Sequence, residues 1–404
     1  MLITEDVIVK FGLNALVGQS GGPTAAINAT LCGVIRGCHG KFDTLYGMKN
    51  GIEGLIQEEL VNLGYLFGNE GELSLLSTTP SAVLGSCRQR LPKDFSDSVY
   101  EKIFDILDKY SIGAVFYIGG NDSMDTVHKL SQYAKVHSLD VSFVGVPKTI
   151  DNDLVLTDHT PGYGSSAKYI ATTVGEIFRD VSVYRAPSVT VVEVMGRGAG
   201  WLGCACALPT VLGSGGCHLV YLPELGISLD TILSDIESFL CKSPTLLIGL
   251  SEGALPSDAG AKDSFGHTRA SGGGRLIEAA VSKYLGCKSR SVELNLPQRC
   301  ASHLMSGTDL KESLLIGQEA VNLACEGKSG VMAAFRRRAG EYGVDVVSVD
   351  AGLVANGVRC VPAQFIDKKN RFVTKECIDY LAPLIMGETQ VEYKSGLPHY
   401  FNLR

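Results

Sequence analysis

No apolar run in this 404-residue chain approaches the roughly 20 residues needed to cross a bilayer. The start, Met1-Leu2-Ile3-Thr4-Glu5-Asp6, lacks the positive flank and apolar stretch of a signal peptide, so a cytoplasmic setting and no membrane partner are expected. Basic excess is also missing. Lys and Arg total 36 against 43 Asp and Glu, a net charge of -7, which argues against a general affinity for nucleic acid. The one dense basic run, Arg336-Arg337-Arg338, reads as a solvated face. The twelve cysteines include no Cys-x-x-Cys, and Cys204 and Cys206 are the only close pair. They are expected to be reduced thiols, mostly buried as small hydrophobes, rather than zinc ligands or disulfides. There is no short-period repeat, no low-complexity tract and no Gly-x-x-x-x-Gly-Lys-Ser/Thr, so a P-loop is excluded.

What is present is an ordinary globular balance, 45% hydrophobic and 20% charged, in a length that suggests two or three domains at about 150 residues each. Short apolar strands are each followed by a Gly-rich or polar turn. Leu13 to Val17 leads into Gly18-Gln19-Ser20-Gly21-Gly22-Pro23, then a helix from Ala25 to Val34. Ala114 to Ile118 leads into Gly119-Gly120-Asn121-Asp122-Ser123, then apolar residues at helical spacing, Met124, Val127, Leu130 and Ala134. Val141 to Val146, Val189 to Val194 and Leu246 to Leu250 end in Pro147-Lys148-Thr149-Ile150-Asp151-Asn152-Asp153, Met195-Gly196-Arg197-Gly198 and Ser251-Glu252-Gly253.

Alternating strands and helices predict an α/β protein with two doubly wound, Rossmann-like parallel-sheet domains. Ligands should bind in the cleft between them, beyond the strands' carboxyl ends. The expected division is 1–150 with a return segment at roughly 265–310, against 151–265 with a C-terminal part at roughly 311–404. Pro256 to Gly274, rich in Gly, Ser, Asp and Ala, reads as a surface excursion.

Each turn has a chemical reading. Gly21 and Gly22 before a helix N-terminus suit a phosphate, because the backbone can approach the anion and unpaired N–H groups meet it. Asn121 and Asp122 offer hard oxygen ligands for magnesium held partly by substrate phosphates, although Asn, Asp and Ser are also good helix caps. Asp151 and Asp153 can point to one side of an extended loop. There a carboxylate can accept a hydroxyl proton while Lys148 steadies phosphoryl oxygens. Arg88, Arg290 and Arg299 are suited to bidentate phosphate contacts. Gly198-Ala199-Gly200-Trp201-Leu202-Gly203, with Glu224 further on, matches a dinucleotide-binding fingerprint, so a nicotinamide-dependent oxidoreductase competes.

Together, in this order from about residue 13 to 310, these motifs resemble the phosphofructokinase family. The resemblance implies a magnesium-dependent phosphotransferase acting on fructose 6-phosphate. It makes Asp151 the general base on the 1-hydroxyl, and Thr149, Ile150, Met195, Gly196, Arg197 and Glu252 sugar-phosphate contacts. Arg299 and Arg290 become ligands of the 6-phosphate. Gly21, Gly22, Arg88 and Ser123 contact the phosphoryl donor, with Asn121 and Asp153 near the metal. It also implies that the first domain binds the donor and the second the sugar phosphate, in a homodimer or homotetramer with shared active sites.

Members similar to this family that use ATP usually carry Gly at the positions of Asp122 and Lys148. Diphosphate-dependent members usually carry Asp and Lys, as here. The reading is therefore reversible transfer between diphosphate and fructose 6-phosphate, yielding phosphate and fructose 1,6-bisphosphate. The alternatives are an ATP-dependent enzyme, the oxidoreductase, or a regulatory subunit without catalysis. The chain departs from the family pattern at Asn121 (an aspartate in relatives), at Leu296 (often His or Tyr) and at Ser188 (an Arg in some), where Arg185 is a candidate substitute.

Overall fold

Runs of aliphatic residues ending in glycine or polar turns make strands that need cover on both faces. The computed structural model describes residues 13–255, 272–355 and 357–403 and arranges these strands in two main sheets. Residues 1–6 and nearly all of the expected excursion from Pro256 lie outside the described residues. The strands are β1 (Asn14–Gln19), β2 (Leu45–Met48), β3 (Leu60–Asn62), β4 (Ile112–Gly119), β5 (Ser142–Pro147), β6 (Ser188–Val194), β7 (Leu219–Tyr221), β8 (Thr245–Ser251), β9 (Lys288–Glu293), β10 (Val331–Arg337) and β11 (Val344–Asp350).

The first sheet runs β11-β10-β5-β4-β1-β2-β3 and the second β7-β8-β6-β9. The second is parallel throughout; the first is antiparallel only in its outer pairs, β2–β3 and β10–β11. Every residue of β4 and β8 is buried, as strands covered on both faces require. β1 pairs with β2 on one side and β4 on the other, so strand order reverses there. A crevice opens at such a switch point, beyond the strands' carboxyl ends.

The chain does leave the first sheet after Pro147, but the expected return segments are corrected. β9 lies within 265–310, yet it pairs with β6 over Ser188–Glu193 and belongs to the second sheet. The return comes later. Ile316, Ala320 and Val321 of the helix Gly307–Cys325 fill the core beneath the first sheet with Ile27 and Leu31, and β10 then pairs with β5. Of the C-terminal part, Val361, Ile366, Val373, Ile378 and Leu381 do pack into the second core, around the fully buried Trp201. The reason is packing. β9, Lys-Ser-Arg-Ser-Val-Glu, is too polar to announce a sheet, and only its neighbours select its place.

No disulfide forms, and Cys32, Cys38, Cys87, Cys204, Cys206, Cys217 and Cys377 are buried thiols. Among the described residues no helix is long and apolar enough to cross a membrane.

Candidate active site

A cleft of about 890 Å³ lies between the sheets, and the strand-end turns converge on it. It is lined by Gly21, Gly22, Arg88, Asn121, Asp122, Ser123, Lys148, Thr149, Ile150, Asp151, Asp153, Met195, Gly196, Arg197, Glu252 and Arg299. Of the expected site residues, only Arg290 lies outside. It is exposed on β9, in a separate pocket of about 110 Å³ with Tyr184, Ser188 and Lys288.

The wall from the first sheet is built on glycine turns, with Arg88, Arg90, Asn121, Asp122 and Lys148 beside them. Gly21 adopts φ +74°, a left-handed conformation that favours glycine, and a Cβ there would stand 3.2 Å from Lys148 Nζ. Lys148 is 2% exposed and its ammonium donates to the Gly22 carbonyl at 2.6 Å. Burial pulls its pKa down to about 7; Asp151 partly restores it, while Arg299 and Arg88 push it lower. The helix Asn121–Val136 starts at Gly120 with no side-chain cap, so the capping alternative for Asn121, Asp122 and Ser123 does not hold. Ser123 Oγ instead meets Ser20 Oγ at 2.5 Å, tying the β1 and β4 turns together. Asp122 is not a bare carboxylate: Arg90 Nη2 lies 2.7 Å from its Oδ1.

Between the walls runs the loop after β5. The Thr149 hydroxyl accepts from the Asp151 N–H at 3.1 Å, and Asn152, at φ +53°, is fully buried. Its neighbours Asp151 and Asp153 face the cleft. Burial raises Asp151 to about 7, with Asp153 and Glu252 adding to the rise and Arg197 and Lys148 opposing it. Burial also raises Asp153, against the lowering effects of its backbone hydrogen bond, Thr149 and Lys148.

The wall from the second sheet is built of side chains. Arg197 Nε stands 3.9 Å from Glu252 Oε2, and Glu252 is raised chiefly by burial, with Arg197 opposing. The β6 and β8 turns are locked by Gly253 N–H to the Gly196 carbonyl at 3.1 Å and by Ser251 Oγ to the same carbonyl at 2.9 Å. Gln298 accepts from the Met195 N–H at 3.1 Å, while Arg299 reaches across to the Gly22 turn.

The fingerprint at Gly198–Gly203 serves packing. A Cβ on Gly200 would lie 2.7 Å from Glu224 Oε2. Glu224 Oε1 accepts from the N–H groups of Gly200 and Val361, both at 2.9 Å, and Oε2 is buried against Gly200 rather than open to a ribose. The helix that follows, Trp201–Ala205, is too short to present a developed dipole.

Sequence reading missed Arg90, Gln298 and Val358. Arg90 had a signal, since it stands two residues from Arg88 in the same extended run. Val358 had none; it enters the cleft because the C-terminal part folds back over it.

A family model described as phosphofructokinase matches residues 14–324. The pyrophosphate–fructose 6-phosphate 1-phosphotransferase of Halomonas elongata is 37% identical over 399 residues, spanning 95% of this chain and 94% of its own. Its counterpart in Methylococcus capsulatus is 35% identical over 403 residues, spanning 96% of each. The crystal structure of the pyrophosphate-dependent phosphofructokinase from Nitrosospira multiformis matches with a TM-score of 0.86 at 35% identity, over 96% of each chain. With turns of this chemistry in this order around one cleft, the chain belongs to the phosphofructokinase family.

Proposed function

We propose that this chain transfers a phosphoryl group between diphosphate and the 1-hydroxyl of fructose 6-phosphate. One observation carries the reading. A single loop places Lys148 against the glycine turn of one wall and Asp151 toward the Arg197–Glu252 pair of the other. In the forward direction Asp151 accepts the hydroxyl proton as the sugar oxygen bonds to phosphorus and the bridging P–O bond breaks. A carboxyl raised to about 7 is matched to that exchange near neutrality. Lys148, whose charge is disfavoured by burial, is held protonated by an anionic diphosphate and stabilises the departing phosphate. Arg88, Ser123, Gly21 and Gly22 surround the donor; Thr149, Ile150, Met195, Gly196, Arg197, Glu252 and Arg299 surround the sugar phosphate.

The donor set fits magnesium. Asn121 Oδ1 is buried without a partner, and Asp153 adds a carboxylate. No cluster of three His, Cys, Asp or Glu that could hold a metal occurs among the described residues, which suits an ion bound largely through substrate phosphates. Magnesium on Asn121 and Asp153 would neutralise charge on the diphosphate.

Two structural features bear on donor and assembly. The Arg90–Asp122 pair occupies the donor end of the cleft, where a nucleotide's inner phosphate would have to pass, and supports diphosphate over ATP. Arg290, with Lys288 beside it, faces out of its own chain's cleft, so it can serve a sugar phosphate only in a second copy. This supports a homodimer or homotetramer with shared sites. A cytoplasmic setting suits the reduced thiols. The direct test is a panel of diphosphate, ATP and polyphosphate, each with fructose 6-phosphate and magnesium. Diphosphate should give the highest kcat/KM; a strong preference for ATP overturns the donor assignment.

A further inference from the structure

The loop that carries Asp151 has an unusual backbone. Asn152 is a non-glycine residue at φ +53°, completely buried, between two acidic residues that face the cleft. Asn tolerates this conformation better than most residues, but it persists only when its surroundings determine it. The surroundings come from more than 200 residues away in sequence. Asn152 Nδ2 donates to the Tyr380 hydroxyl at 2.9 Å, and Asn152 Oδ1 is buried with no partner, so this bond holds the amide.

We propose that Tyr380 and Arg359 are positioning residues for the reaction: they turn Asn152 away from the cleft and thereby present Asp151 and Asp153 to it. The Tyr380 hydroxyl is fully used. It accepts from Asn152 Nδ2 and from Arg359 Nη2, both at 2.9 Å, and donates to the Asp158 carbonyl at 2.7 Å. Arg359 closes the arrangement from its other side. Its N–H donates to the Asp153 carbonyl at 2.7 Å, and Nη1 donates to the Thr157 carbonyl at 2.9 Å and to that of Asp158.

The clamp itself is anchored. The Arg359 guanidinium lies 4.4 Å from the centre of the Trp201 ring, whose N–H donates to the Arg359 carbonyl at 2.8 Å. Arg337 stacks 4.4 Å over the Tyr380 ring and bonds the Asp158 carboxylate through Nε at 3.1 Å. His159 joins Asp158 at 2.8 Å to Glu312 at 2.7 Å, tying the far end of the loop to the helix Gly307–Cys325. The loop between the two sheets is therefore held by groups of both layers, none of which reaches the reacting atoms.

This inference rests on Asp151 as the general base, and the test separates the two. Tyr380→Phe keeps the ring and its stacking but removes the hydroxyl; Arg359→Lys keeps the charge but loses the fork. Activity is referred to the folded fraction measured by circular dichroism, and either variant that folds is informative. The expected result is a kcat lower by about 10–100-fold, the scale of a misplaced catalytic group, with KM for fructose 6-phosphate and diphosphate within about 3-fold. On an Asp151→Ser background the same substitutions should cost clearly less than on the parent, because Asp151, one of the two carboxylates they present, is already gone. Parental kcat in Tyr380→Phe beside a crippled Asp151→Ser overturns the clamp alone. So does a loss that adds in full to that of Asp151→Ser. Near-parental turnover of Asp151→Ser removes the base assignment, and the clamp's catalytic role with it.

Discussion

The two walls of the cleft hold their ligands in different ways. The wall from the first sheet combines glycine turns and a buried cation with an ion pair at its rim: Lys148 is 2% exposed and already bonded to Gly22, while Arg90 pairs with Asp122. Among the described residues, the wall from the second sheet has no such buried cation and relies on the Arg197–Glu252 pair. Arg197 is 44% exposed and stands 3.9 Å from Glu252, and Arg290 faces away from its own chain's cleft. The glycine turn and Lys148 are preformed and suit a small, highly charged donor. The second wall, with Arg197 paired to Glu252, suits the larger sugar phosphate of the proposed reaction. Preorganised charge acts on the transition state, whereas groups that hold a non-reacting part of the substrate contribute mainly to affinity. Substitutions in the first wall should thus lower kcat, and substitutions in the second should raise KM.

The largest effect should come from the loop between the walls. Asp151→Ser is expected to lower kcat by roughly 10²–10⁴-fold, the range for loss of a general base, with little change in KM for fructose 6-phosphate by steady-state assay. Next is Lys148→Gly, expected to lower diphosphate-dependent kcat by about 10²–10³-fold through loss of preorganised charge. A rise in the KM for fructose 6-phosphate in its place would erase the distinction between the walls.

Arg290→Ala should do the opposite. The KM for fructose 6-phosphate should rise about 10-fold or more, the scale of one hydrogen bond to a charged group, while that for diphosphate stays put. Subunit exchange between Arg290→Ala and Asp151→Ser should restore part of the activity. Its failure in properly exchanged oligomers means that each chain holds a complete site.

The pH profile sharpens the contrast within the loop itself. Asp151 must be ionised to accept a proton and Lys148 protonated to bind phosphate, and burial moves both to about 7. The free-enzyme kcat/KM should therefore be bell-shaped with its maximum near neutrality, falling below it as Asp151 gains a proton and above it as Lys148 loses one. In Asp151→Ser the acid limb should disappear; if it persists, another group sets it. The smallest effect is expected at Asp122. Its ion pair with Arg90 is half exposed, and such pairs contribute about 0–1 kcal/mol. Asp122→Gly and Arg90→Ala should each raise the ratio of ATP to diphosphate kcat/KM by no more than about 10-fold. A double change with Lys148→Gly should exceed either single change. If neither single change moves the ratio, the pair does not guard the donor site.

Much of the site could be read from the chain before any fold was known, because a strand-end turn is a local object. The residues that follow β1, β4, β5, β6 and β8 needed only a short apolar run before them and a glycine or capping group after. All five turns meet at the cleft. Local pattern failed where a choice depended on a distant partner. Gly200 and Glu224 kept the spacing of a dinucleotide site, yet Glu224 Oε1 is spent on two backbone N–H groups of its own chain and Oε2 is buried. Arg290 carried the right chemistry and faces away from its own cleft.

The sequence by itself thus determined the alternating strands and helices, the polar turns at their ends and the acid, lysine and arginines in them, because dihedral preference and hydrophobic period act over a few residues. The tertiary structure alone decided that Lys288–Glu293 joins the second sheet while Val331–Asp350 completes the first. It alone paired Arg90 with Asp122 and set Tyr380 and Arg359 behind Asn152. Those outcomes turn on which buried surfaces and hydrogen-bonding groups meet across hundreds of residues, and no local pattern records the partner.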